Sequence, residues 1–194
     1  IAGPLKHILT GERVALNFMQ LLSATATQTF ALVSIIQGCR ARLLDTRKTI
    51  PLWRAAQKYA VVCGGGANHR MGLYDAVLIK ENHVIACGSI SAAVTAAKVI
   101  HGGSLPIIVE VEDFAELQLA LELDIDRIML DNFTPSQCAE AVEHTVGRVP
   151  LEVSGNISIS NIKEYAVSGV DYISVGSMTK NIKAIDLSLR LLRS

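Results

Sequence analysis

Neither sign of charge is in excess. The 194-residue chain carries 18 Lys and Arg against 18 Asp and Glu, a formal net charge of +0. A neutral chain has no long-range field with which to hold nucleic acid or an anionic membrane, so neither is expected as a partner. Cysteine is sparse: Cys39, Cys63, Cys87 and Cys138 lie far apart and form no Cys-x-x-Cys pair. That argues against structural zinc and for reduced core thiols in a reducing compartment. No apolar run approaches the roughly 20 residues that cross a bilayer, and no signal peptide is visible, so the expected location is the cytoplasm. No Gly-x-Gly-x-x-Gly follows the first strand-like run and no Gly-x-x-x-x-Gly-Lys-Ser/Thr occurs, which argues against dinucleotide-type and Walker-type phosphate loops. An initiating methionine is also missing, since the chain opens Ile1-Ala2-Gly3; a processed product or the back half of something longer is expected.

What is present is a folded composition, 50% hydrophobic and 19% charged, at a length that suits one domain. From Gly11 to about Ile36 apolar residues recur at helical spacing (Val14, Leu16, Phe18, Leu21, Leu22, then Phe30, Leu32, Ile35), and Gly38 is a natural terminator. Residues 1–38 therefore read as a helical segment leading into a unit that spans 39–194. There, strand-like runs at 42–45, 76–79, 106–111, 127–130, 151–153 and 172–175 alternate with helical stretches at 52–62, 91–100, 114–123, 136–146 and 161–167. Such alternation predicts βα units and a parallel sheet, with strands apolar on both faces. An open doubly wound sheet and a (β/α) barrel both fit. Polar residues just past strand after strand favour the barrel, whose active face is its carboxyl end.

Those polar residues divide by charge. Arg47 and Lys48 follow the first strand within Asp45-Thr46-Arg47-Lys48-Thr49, His69 and Arg70 follow the triple glycine Gly64-Gly65-Gly66, and Lys80 ends the second strand. Glu110 and Asp131 end the third and fourth. Cations gathered in a cleft suit a multiply anionic substrate, and an arginine fork matches carboxylate or phosphate. The glycines would let backbone approach a ligand or adopt positive φ. Lys80 reads two ways, as a Schiff-base lysine of the class I aldolase type or as a charged anion binder. Glu110 and Asp131 could hold Mg²⁺ directly or through water, or only balance the cations. Glu112 and Asp113 look like first-turn carboxylates of the next helix. Ser154-Gly155-Asn156 and Gly176-Ser177, after the last two strands, suit a phosphate gripped by backbone N–H groups before helix N-termini. His7, His101 and His144 read as surface, and His83 is ambiguous.

Taken in order, these motifs resemble the quinolinate phosphoribosyltransferases. The resemblance runs through Thr10-Gly11-Glu12-Arg13, Leu44-Asp45-Thr46-Arg47-Lys48-Thr49, Gly64 to Arg70, and Leu78-Ile79-Lys80-Glu81-Asn82-His83. It continues in Val109-Glu110-Val111, Met129-Leu130-Asp131-Asn132, Glu152-Val153-Ser154-Gly155-Asn156 and Ser174-Val175-Gly176-Ser177, covering nearly the whole chain. It implies an incomplete, open TIM-like α/β barrel of six to seven parallel strands, without the N-terminal α/β domain of about 100 residues that family members carry. It also implies a homodimer with shared active sites, or a hexamer.

The implied activity is phosphoribosyl transfer from phosphoribosyl pyrophosphate (PRPP) to quinolinate with decarboxylation, for NAD synthesis, with Mg²⁺. By motif, Arg47, His69, Arg70 and Lys80 would bind the two carboxylates of quinolinate. Lys48 would help with the pyrophosphate-bearing ribose, Glu110 and Asp131 would serve its hydroxyls and Mg²⁺, and Ser154, Gly155, Gly176 and Ser177 would hold the 5-phosphate. Lys48, Lys80, Glu110 and Asp131 form the implied catalytic set, and Arg13 would enter the partner's site. Three departures stand out: Pro51-Leu52-Trp53-Arg54 where the family usually has Pro-Gly-Leu-Arg, Ser23-Ala24 for Ser-Gly, and Thr179-Lys180 for Thr-His. The competing readings are an aldolase-type barrel using Lys80 and a non-catalytic homologue that binds small dianions.

Overall fold

Burial of the strands on one side by helices organises the chain. The computed structural model describes residues 1–192, so the last two positions of the expected range 39–194 lie outside the described residues. In order, the elements are α1 (Leu5–Ile35), β1 (Arg42–Leu44), α2 (Arg54–Cys63), β2 (Val77–Ile79), α3 (Glu81–Cys87), α4 (Ile90–His101) and β3 (Ile107–Val111). Then follow α5 (Phe114–Leu121), β4 (Arg127–Asp131), α6 (Pro135–Thr145), β5 (Leu151–Ser154), α7 (Ile162–Val167), β6 (Tyr172–Ser174) and α8 (Ser177–Lys180). All six expected strands form to within a residue or two. Local chemistry starts the longer helices after the middle strands: Ser89 accepts from Ala92 N–H at α4, Asp113 from Glu116 N–H at α5, and Thr134 from Gln137 N–H at α6. α3 and α8 were not expected. One is a seven-residue helix stopped by Gly88 at φ +87°, the other a single turn, and neither is long enough to show a period.

The strands are parallel throughout, in the order β1-β6-β5-β4-β3-β2. This is the cyclic order of a barrel, left open between β1 and β2. The chain leaving α2 lies in that gap: Ala67 N–H donates to Leu43 C=O at 2.8 Å, and its own C=O accepts from Asp45 N–H at 3.1 Å.

The registers sort the side chains into two sets. Val109, Val111, Ile128, Leu130, Leu151, Val153 and Ile173 belong to the large core between sheet and helices. The alternate positions face the barrel interior, where Leu78, Ile108 and Met129 form a separate apolar layer. Beside it in register stand Glu110, Arg127, Asp131, Glu152, Ser154 and Ser174. The expectation of strands apolar on both faces is therefore corrected: a polar interior belongs to a barrel whose bore contributes to a site.

Three further expectations change. Only Cys138 is a core thiol, its thiol pushed up to about 12 by burial; Cys39 is half-buried and Cys63 and Cys87 are exposed. α1 is longer than the spacing implied, and by length and composition alone it could cross a membrane. Its buried residues are Leu16, Ala24, Thr25, Thr29 and Leu32, and it packs on α2, α7, α8 and β1. Finally, Gly64 and Gly66 serve helix packing. A Cβ on Gly64 would stand 2.4 Å from Ala26 C=O, and one on Gly66 would stand 2.8 Å from Thr29 Cγ2. Only Gly65, at φ +87°, uses the conformational freedom of glycine.

The departures from the family motifs are absorbed locally. Leu52 is fully exposed at φ +66°, a left-handed position that glycine fills without strain. α2 nevertheless starts at Arg54, and Trp53 stacks on Phe18 with centroids 4.5 Å apart. Ala24 is buried within α1 without interrupting it.

A buried ion pair anchors the segment that lies in the open seam. Lys58 of α2 and Asp45 at the end of β1 are both fully buried and bonded to each other. Lys58 Nζ also donates to His69 C=O at 2.9 Å, while Asp45 accepts from His69 N–H at 2.8 Å and Asn68 Nδ2 at 2.6 Å. Burial leaves the Asp45 carboxyl above its usual range even though Lys58, His69 N–H and Asn68 pull it down. Lys58→Met should lower the unfolding free energy by about 3–5 kcal/mol, because it strands a buried carboxylate. Asp45→Asn with Lys58→Met should recover part of that loss. Urea denaturation of the three chains checks both statements, and a near-neutral Lys58→Met would refute them.

Candidate active site

Beyond the carboxyl ends of the strands lies a cleft of about 800 Å³. Its basic wall comes from two loops that α2 holds in place. Arg47 and Lys48 follow β1; Lys48 N–H donates to Thr46 Oγ1 at 3.0 Å, and Thr179 Oγ1 donates to Lys48 C=O at 2.8 Å. Thr179 is fixed in turn by Gln57 Nε2, which donates to its C=O at 2.8 Å. Arg54 ties the two basic loops together, donating to Arg47 C=O and Met71 C=O, each at 3.1 Å, and to Thr49 Oγ1 at 3.3 Å. Arg54, Gln57 and Lys58 lie on one face of α2 by helical spacing, so a single helix sets the height of both loops.

The second loop presents His69 and Arg70. His69 is 9% exposed; its Nδ1 accepts from Arg70 N–H at 2.7 Å, which assigns its proton to Nε2. Arg70 Nη1 donates to Ala76 C=O at 2.9 Å, and Asp75 closes the turn by accepting from Met71 and Gly72 N–H. Burial, with Arg47 beside it, pushes the Arg70 guanidinium down despite the opposing pull of Asp75. Two guanidiniums that repel in a partly buried wall are an empty seat for an anion.

Opposite stand the carboxylates. Lys80 ends β2 and pairs with Glu110 of β3. Burial raises the Glu110 carboxyl above its usual range; Lys80 opposes that, while Asp131 and Glu81 add to it as like charges. Asp131 ends β4, one oxygen accepting from Ser154 Oγ at 2.9 Å and the other from Asn132 Nδ2 at 2.8 Å. His83, ambiguous in sequence, caps α3 by accepting from Lys80 N–H at 3.0 Å.

The small residues line the remaining side. At Gly155, φ is +101° and a Cβ would stand 2.2 Å from Asn132 Oδ1, so no side chain fits. A Cβ on Gly176 would meet Lys48 Cδ at 3.3 Å, which leaves this lysine's stem little room to spare. Gly176-Ser177 does precede a helical turn, α8. Ser154-Gly155 does not: α7 starts only at Ile162, because the chain first turns through 156–161. This corrects the expectation that both pairs sit at helix N-termini.

The cleft thus gathers Arg47, Lys48, His69 and Arg70 on one side, Glu110 and Asp131 with Lys80 on the other, and Ser154, Gly155, Gly176 and Ser177 between. Arg13 is exposed on α1 and does not line it. Lys180, one of the departures, does line it, as do Glu81 and Glu112. Glu112 had read as a first-turn carboxylate, and only Asp113 caps the helix. Sequence reasoning missed Arg54, Lys58 and Asp45, whose helical spacing on α2 and position before Arg47 were the available signal.

A parallel open barrel with a cleft of opposed cations and carboxylates at its carboxyl end defines the class: an α/β barrel built to hold a polyanion. The profile of the C-terminal domain of quinolinate phosphoribosyl transferase matches residues 25–190, and the chain belongs to that family. It is 41% identical over 187 residues to the probable nicotinate-nucleotide pyrophosphorylase (carboxylating) of Bacillus subtilis, covering 96% of this chain and 65% of the relative. The corresponding protein of Mycobacterium leprae is 44% identical over 189 residues, covering 96% and 66%. The solved structure of the nicotinate-nucleotide pyrophosphorylase from Francisella tularensis is 54% identical and superposes with a TM-score of 0.92, over 95% of this chain and 65% of that one. The chain thus spans about two thirds of the length of these relatives.

The charge arrangement makes a prediction of sign. Asp131→Asn should lower the pKa of Glu110 by removing a like charge, and Lys80→Met should raise it further by removing the counter-ion. A carbon-13 NMR titration of the Glu110 carboxyl reads both; a shift of the wrong sign in either variant would discard this arrangement.

Proposed function

We propose that the protein to which this chain belongs transfers phosphoribosyl from PRPP to quinolinate with loss of CO₂, giving nicotinate mononucleotide and pyrophosphate. The observation that carries this reading is the divided cleft: a basic wall of Arg47, His69 and Arg70 facing Glu110 and Asp131. A pyridine dicarboxylate placed against the basic wall offers one carboxylate to the paired guanidiniums and another within reach of His69 and Lys80. Its ring nitrogen is then free to attack C1 of the ribose as pyrophosphate leaves. The ribose gains oxocarbenium character, which Glu110 and Asp131 favour while orienting its hydroxyls. Lys48, held by Thr179 over Gly176, is placed to meet departing phosphate charge. Fixed charges of this kind need no reorganisation as charge develops. As the 2-carboxylate leaves as CO₂, the electron pair of the broken bond stays on C2, stabilised by the adjacent cationic ring nitrogen, and C2 then takes a proton from water to give the product.

The donor set fits a magnesium ion that arrives with phosphate. Glu110 and Asp131 face one cleft from adjacent strands, and no group of three metal-ligating side chains occurs among the described residues. Two carboxylates with substrate phosphates suit Mg²⁺, where an all-protein cage would not. When bound, it would supply neutralisation of phosphate charge; Glu110 and Asp131 would hold it, directly or through water. Against an aldolase, the Lys80 amine is engaged by Glu110. Against a passive dianion binder, the carboxylate wall would be superfluous.

The assembly we propose is a homodimer with shared sites. Arg13 is exposed and does not line its own cleft, and α1 exposes Val14, Phe18, Met19 and Phe30, apolar surface suited to a second copy.

Arg70→Ala should abolish quinolinate binding, a loss of at least a hundredfold, and leave PRPP binding nearly unchanged, as read by isothermal titration of each ligand. Equal loss of both would overturn the assignment of Arg70. In whole-length protein, mixing Arg13→Ala with Arg70→Ala chains should restore up to about a quarter of the activity, the share expected when one of two sites is intact in half of the dimers formed by random pairing. No rescue once native mass spectrometry shows hybrids would exclude sharing.

A further inference from the structure

A carboxylate with no assigned part in the reaction lies inside the barrel beneath the cleft. Glu152 of β5 is fully buried and does not line the cavity. One of its oxygens accepts from Arg127 Nη1 at 2.9 Å and the other from Ser174 Oγ. Arg127 also lies over the ring of Tyr172, 4.0 Å from its centroid, which fixes the fork against the next strand. Although burial pushes the Glu152 carboxyl up, His69, Ser174 and Arg127 hold it below the usual carboxylate range. Ionised carboxylate is therefore the form present at neutral pH.

The layer beside this charge is apolar. The register neighbour of Glu152 on β4 is Met129, part of the apolar layer with Leu78 and Ile108, so an apolar residue would continue a layer that already exists. What the charge does is face His69. Nε2 of that ring lies 3.4 Å from Glu152 Oε1, in a geometry that makes no hydrogen bond, and among the described residues it has no other partner. The ring's other nitrogen accepts from Arg70 N–H. Both neighbours demand the same tautomer: a backbone donor keeps the proton off Nδ1, and a buried anion keeps it on Nε2.

We propose that Glu152 is a positioning residue that fixes His69 as the Nε2–H tautomer, so that a buried, unpartnered donor waits for an oxygen of the bound acid. The inference rests on the reading that His69 meets a carboxylate of quinolinate. A ring in the other tautomer would offer that oxygen a lone pair, and the two would repel. Glu152 touches no substrate and acts through the imidazole, with Ser174 and Arg127 keeping its own carboxylate in place.

The test is made on the chain labelled with nitrogen-15 in histidine, His69 being assigned from the spectrum of His69→Gln. The wild type should show a pyrrole-like Nε2 and a pyridine-like Nδ1 at neutral pH. In Glu152→Gln that distinction should be lost or reversed, and the Kd for quinolinate should rise about tenfold or more. Ser174→Ala, which keeps the charge, should leave the tautomer as it is. If Glu152→Gln does not fold, Glu152→Asp, with the same charge drawn back by one carbon, is read by the same two measurements. A wild-type ring protonated on Nδ1, or a folded Glu152 variant with unchanged tautomer and affinity, would overturn the proposal. The tautomer comparison needs no substrate, so a wild-type chain that ignored quinolinate would count against the transferase reading alone.

Discussion

The arrangement of the cleft depends on how an unfinished barrel is closed. Between β1 and β2 there is no ladder of backbone hydrogen bonds; the segment through Ala67 lies there, and the buried pair of Lys58 and Asp45 fixes its continuation at His69 to the end of β1. A sheet edge pairs through many weak, interchangeable bonds, whereas an ion pair excluded from water fixes one geometry and tolerates little error. Here that geometry joins the end of β1, which leads into Arg47 and Lys48, to the backbone of His69. Arg54, one turn earlier on the same helix face, makes the second attachment, from Arg47 C=O to Met71 C=O. The cations are thus held near one another against their own repulsion by groups that never meet a ligand.

The acidic half is built differently. Glu110, Asp131 and Ser154 stand on consecutive strands of an unbroken ladder, and their spacing follows from register. One wall of the cleft is therefore as stiff as the sheet, and the other as stiff as α2 and its buried pair. Polar residues reach the interior on the same alternation that sends Val109, Ile128, Leu130 and Val153 outward to the helices. Core and site are the two faces of the same strands, and a one-residue slip in any of them would exchange the two.

Much of this was legible in the sequence. Strands at intervals, each ending in a charged or small residue, point to the wall residues from Arg47 to Ser177, because in a parallel barrel the carboxyl ends all lie on one side. What could not be read was the inward face. Short strands of three to five residues show too few alternations to separate a polar interior from an apolar one, so Glu152 and Arg127 passed as part of strands buried on both sides. The triple glycine misled for a related reason: a missing side chain signals close approach but does not say of what, and here the neighbour is α1. For Lys58 the spacing from Arg54 was a weak signal, since a lysine on a short helix is ordinarily solvated and only tertiary packing buries it.

That contact between α1 and the glycines reaches further than local packing. With Gly64 against Ala26 C=O and Gly66 against Thr29, the helix cannot slide along its axis without displacing the segment that continues into His69 and Arg70. The same helix carries Arg13 outward on its exposed face. Any movement of α1 would therefore carry Arg13 and displace the His69–Arg70 loop together, because the close contacts at Gly64 and Gly66 leave no slack between helix and loop.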